Sequence, residues 1–82
     1  MSKKQKLIER IQRRPRDFTW SEATSLMEMC GFRLVKNSGS RRYFMNRDGV
    51  KAFLHEPHPG PTLKLYAVDA LLDALKLAGE IT

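Results

Sequence analysis

The chain lacks most of the devices that steady a small protein from outside its hydrophobic core. It has one cysteine, Cys30, so no internal disulfide can form, and a reducing compartment fits best. No apolar run nears the ~20 residues needed to span a bilayer. The opening MSKKQKLIER has no apolar stretch of the secretory kind, so a cytoplasmic protein with no membrane association is expected. Internal repeats and low-complexity tracts are missing as well. The string HEPH at 55–58 brings two histidines and a glutamate, but without a second ligand cluster it is a poor zinc signature. No metal and no cofactor are expected.

What is present is basic charge, unevenly placed. In 82 residues the formal net charge is +6. Residues 1–16 hold seven Lys/Arg against Glu9, whereas the remaining 66 residues carry eight bases and eight acids and sum to zero. Within that second part, residues 33–51 hold six bases against Asp48 alone. Two basic zones point to a polyanionic partner rather than to a merely solvated surface. At 41% hydrophobic residues the chain is one small domain whose core has little to spare, so oligomerisation or a partner is expected.

Periodicity orders the elements. Leu7, Ile8 and Ile11 share a face of a short helix over about 3–13, which Pro15 ends by pushing Arg14 out of helical conformation. Thr19 and Glu22 form a capping box with Phe18 before it, opening a second helix over about 20–30 that Gly31 stops. The period then becomes two. Phe32–Leu34, Arg41–Met45 and Val50–His55 read as strands separated by NSGS and NRDG turns. EPHPGP is a stiff loop, and Leu65 onward is an amphipathic helix stopped by Gly79. The fold class is α+β: a three-stranded antiparallel sheet with helices on one face. Residues 1–17 read as a basic N-terminal extension and 18–82 as the main domain.

With the pieces in that order, the stretches CGFRLVKNSGSRRYF, LHEPHPGPTLK and LLDALKLAGEI make the sequence resemble the HicA toxins, the ribonuclease halves of HicA–HicB toxin–antitoxin pairs. The resemblance runs from about Trp20 to Ile81. It implies a double-stranded-RNA-binding-domain-like α-β-β-β-α fold, an endoribonuclease acting on mRNA without a metal, and neutralisation by a HicB-like antitoxin. A homodimer and a toxin–antitoxin hetero-oligomer both fit. One departure stands out. Where the family motif reads Gly-Ser-His, this chain has Gly39-Ser40-Arg41, followed by Arg42, Tyr43 and Phe44.

Arginine stays charged at accessible pH and cannot act as a general base, but it can grip phosphate and stabilise transition-state charge. Strand alternation sends Arg41 and Tyr43 to the open sheet face if Phe44 is core, and Phe53 and His55 can join them there. Cations with aromatic rings suit RNA, although Tyr43 and Phe53 could equally be a patch covered by an antitoxin or by the first helix. Histidine is the side-chain type that titrates near neutrality, so His55 at a strand end, then His58 in the loop, are the candidates for proton transfer beside Arg41. Lys36, Ser40, Arg42, Lys51 and Lys64 complete the expected RNA contacts, with Lys64 and Thr62 near a helix N-terminus. The same surface without catalysis would be a non-catalytic RNA-binding module.

Overall fold

Ser2 and Thr19 start the first two helices. In the computed structural model, which describes residues 2–57 and 60–81, helix α1 spans Lys3–Gln12 and the Ser2 hydroxyl accepts from the Gln5 N–H at 3.1 Å. Helix α2 spans Trp20–Met29 with both halves of the capping box made: Thr19 Oγ1 accepts from Glu22 N–H, and Glu22 accepts from Thr19 N–H at 3.0 Å. Arg14, trapped between the helix end and Pro15, takes a left-handed conformation with φ 51°. A residue before proline is barred from the α region, and this one turns the chain instead of extending it.

Strands β1 (Arg33–Lys36), β2 (Arg41–Met45) and β3 (Lys51–His55) form an antiparallel meander in the order β1-β2-β3. The first strand begins one residue later than its aromatic suggested and runs on to Lys36; Phe32 is buried just before it. Helix α3 spans Leu65–Leu77 and buries Val68, Leu71, Leu72 and Leu75. The helices lie on one side of the sheet: α3 packs on β3, α2 on β1, and α1 chiefly on α2 and α3. Phe44, Ala52 and Leu54 supply the sheet's share of the core, where the Trp20 and Phe44 rings meet at 5.8 Å.

Despite its proline-bounded joint, α1 shares this core. Leu7, Ile8 and Ile11 belong to the same cluster of buried side chains as Phe18, Leu26 and Leu71. Ion pairs tie its polar face down. Lys4 meets Glu80 at 2.8 Å, Arg10 meets Glu22 at 2.8 Å and Asp17 at 3.2 Å, and Arg14 grips both oxygens of Asp69 at 2.7 and 3.0 Å.

The segment leading into α3 is held by the start of α2. Trp20 N–H donates to Pro61 C=O at 2.7 Å, Leu63 N–H donates to Phe18 C=O at 2.8 Å, and Thr19 and Thr62 pair as an isolated bridge. The far end of the proline-rich loop is thereby fixed against the body of the domain, next to the end of β3.

Candidate functional site

Register decides which side chains meet. β2 and β3 pair Arg41 with His55, Tyr43 with Phe53 and Met45 with Lys51, while β1 sets Val35 against Tyr43 and Arg33 against Met45. Because Phe44, Ala52 and Leu54 face the helices, these partners all stand on the opposite face. Three cations and one histidine share that face with two aromatic rings, and no strand residue on it is acidic.

Arg41 and His55 are close neighbours for a backbone reason. The Arg41 N–H donates to Ser38 C=O at 3.1 Å and its C=O accepts from Asn37 N–H at 3.0 Å, so both groups point toward β1. The Arg41–His55 pair is therefore the non-hydrogen-bonded kind, in which Cα atoms approach to about 4.5 Å and side chains lie nearest. Gly39, at φ 60°, makes the reversal that delivers Ser40 and Arg41 to this position. Ser40 Oγ then lies 3.2 Å from His55 Nδ1. On the outer side of β3, the edge strand, the His55 backbone N–H donates to the Tyr66 hydroxyl at 3.2 Å.

His55 and Tyr66 form a wall between two concavities. One, of about 470 Å³, is lined by Ser40, His55, Thr62, Lys64 and Tyr66 among others. The other, of about 210 Å³, is lined by Asn37, Arg41, Arg42, Phe53, Leu54, His55 and Tyr66. Lys64 is the N-cap residue of α3 and no side chain caps that end, so the first-turn N–H groups lie beside the larger cleft. Among the described residues the Arg41 side chain has no carboxylate partner.

The structure separates the expected contacts into groups. Arg41, His55, Ser40 and Lys64 come together around the two clefts. Tyr43 and Phe53 pair beside them with ring centroids 5.1 Å apart, and Lys51 Nζ stands 5.6 Å from the Tyr43 centroid. Phe53 is 58% exposed, so α1 does not cover this patch. Arg42 and Lys36 lie on the helix side of the sheet by register. The Arg42 guanidinium is engaged internally, donating to Gly39 C=O at 2.7 Å, Arg41 C=O at 2.9 Å and Glu56 Oε1 at 3.1 Å. His58 falls outside the described residues.

Tyr66 escaped the sequence reading. It lies off the apolar stripe of α3, and an aromatic residue on the polar side of a helix, two positions after Lys64, was the available signal. Cys30 is half-buried against the core. Burial, with Glu80 nearby, pushes its thiol up to about 11, so it stays protonated at neutral pH and is a poor nucleophile. Among the described residues no group of three or more His, Cys, Asp and Glu side chains gathers where it could hold a metal ion. No described helix is long and apolar enough to cross a membrane.

The class is a small α+β domain whose helices lie on one side of a three-stranded antiparallel sheet, with a basic and aromatic opposite face. The family model described as "HicA toxin of bacterial toxin-antitoxin" matches residues 20–79, and the chain belongs to that family. It is thus a toxin-type member of toxin–antitoxin systems. No curated protein and no solved structure matches the chain.

Proposed function

We propose that this toxin is a metal-independent endoribonuclease of the cytoplasm that binds and cleaves mRNA, with His55 and Arg41 at its centre and a HicB-like antitoxin as its inhibitor. The observation that carries the reading is the cross-strand pairing of Arg41 with His55. The motif position that usually holds histidine holds arginine, yet an imidazole stands directly opposite on the neighbouring strand. His55 takes the proton from a ribose 2′-hydroxyl. The resulting oxyanion attacks the adjacent phosphorus, the 5′-oxygen leaves and is protonated, and a 2′,3′-cyclic phosphate and a 5′-hydroxyl result. Arg41 stabilises the added negative charge on the phosphoryl oxygens. His58 is the other candidate for proton transfer.

Ser40 contributes by its contact with His55 Nδ1, which fixes the ring so that Nε2 faces away from the turn. Lys64 and the open N-terminal turn of α3 attract an adjacent phosphate along the larger cleft. Lys51 adds charge on the open face, Lys36 adds it from the other side of the sheet at the end of β1, and Arg42 acts mainly by holding the turn on which Ser40 and Arg41 ride.

An acidic antitoxin laid across the open face would bury Arg41 and His55 from RNA. Induction of the protein should then stop growth, and co-expression of the antitoxin or a His55→Ala change should each restore it. Undiminished arrest by a His55→Ala, His58→Ala double variant would remove both histidines from the mechanism. If the parent binds RNA and never cuts it, the protein is a non-catalytic RNA-binding module. The arginine in the motif is the observation that favours that second reading.

A further inference from the structure

Phe53 and Tyr66 are 58% and 49% exposed, and both line the same recess of about 210 Å³. One comes from the middle of β3 and the other from the first turn of α3, so they are brought together only by the fold. Arg41, His55 and Asn37 line the recess with them. Tyr43 backs Phe53 at 5.1 Å, and Lys51 approaches the far side of that ring pair. Two exposed aromatic rings would normally be a liability in water. Here they share a recess with a cationic side chain, beside a sheet face whose strands carry no acid.

We propose that this recess binds a single unpaired RNA base next to the scissile phosphate, which makes single-stranded RNA the substrate class. The inference rests on the RNA reading above and specifies it further. Every base has a π-face, so aromatic walls hold it without regard to sequence, while Arg41 holds the phosphate attached to it. A paired base is stacked within its helix and cannot enter. The charge of the face favours RNA over an apolar protein segment: an occupant must satisfy Arg41 and Lys51 as well as cover Phe53. Phosphate and base do both at adjacent positions along one strand. The base's ribose would then lie at the His55–Tyr66 wall, with the following nucleotide continuing into the larger cleft toward Lys64.

The test uses the full chain and a short RNA whose 2′-hydroxyls are replaced by fluorine so that it cannot be cut, presented as a single strand and as a blunt duplex. The single strand should bind at least about tenfold tighter. Phe53→Ala and Tyr66→Ala should each weaken it by about five- to a hundredfold, with the duplex little affected. Phe53→Trp should retain binding and the thermal midpoint should hold, because neither ring is in the core. If Arg41→Ala abolishes binding while Phe53→Ala and Tyr66→Ala change nothing, the base recess is wrong and the RNA reading survives. If none of the three matters, both fall. If Phe53→Ala weakens only the binding of an antitoxin, the patch is a protein-docking surface and the proposal is overturned.

Discussion

Neighbouring arginines have been given opposite work by a one-residue step along β2. Arg41 faces solvent and among the described residues has no carboxylate partner, whereas Arg42, with its side chain 13% exposed, is spent on Glu56 and on two carbonyls of its own turn. Their alanine variants should differ in kind. Arg41→Ala should leave the unfolding midpoint nearly unchanged and weaken RNA binding. Arg42→Ala should cost about 1–2 kcal/mol of stability, since it strips charge-assisted hydrogen bonds from a part-buried turn. Thermal denaturation alongside RNA titration separates them, and equal stability losses would contradict the assignment. Gly39 extends the argument to the backbone. A Cβ there meets nothing within 4 Å, so only its φ of 60° opposes a side chain. Gly39→Ala should therefore cost about 1 kcal/mol and loosen Ser40 against His55, visible as a lowered denaturation midpoint.

At the scale of elements, much was legible because local rules dominate. The capping box at Thr19 and Glu22, the turn glycines and the switch from helical to strand period place five elements within a few residues. The face of β2 could also be read, since Phe44 had to be buried. Cross-strand partners were harder to read. That Arg41 faces His55 depends on register, which turn geometry sets and which a one-residue slip would reverse. Contacts distant in sequence left no local trace either. Lys4, Arg10 and Arg14 look like part of a polyanion-binding zone, yet all three are tied to carboxylates, Arg14 to one 55 residues away. Tyr66 was passed over because helical periodicity marks the buried stripe and is silent on what its other face meets.

The latch between α1 and α2 can be tested through pH. The Arg10 guanidinium bonded to it holds the Glu22 carboxyl below its usual 4.5, outweighing the effect of burial, with Thr19 helping. A depressed folded-state value means that the charge stabilises the fold above the unfolded-state value and that this stabilisation fades as pH falls through the folded one. Glu22→Gln can keep the capping hydrogen bond while losing the charge. It should be less stable than the parent near neutral pH, with the two midpoints converging at low pH. A gap that stayed constant to pH ~3 would mean the charge is irrelevant and packing alone holds α1.

For the whole molecule, charge distribution rather than total charge is what matters. Ion pairs engage Lys4, Arg10 and Arg14 on the helix side, whereas among the described residues the open-face cations Arg33, Arg41 and Lys51 make none. RNA affinity should consequently fall steeply with salt, with a slope set by the few phosphates the open face neutralises. Removing Arg41 should lower that slope by about one contact. Lys3→Ala and Lys6→Ala on the exposed side of α1 should change it less. An affinity flat from low to moderate salt would end the polyanion account for the whole surface.

Catalysis as proposed depends on His55, paired with Arg41 between β2 and β3, as the group that moves the proton in RNA cleavage. Its most direct test is the single-turnover cleavage rate of His55→Ala beside its affinity for an uncleavable RNA. The rate should fall by about a hundredfold or more, with affinity and thermal midpoint close to the parent's. A His55→Ala protein that cuts RNA as fast as the parent would contradict it.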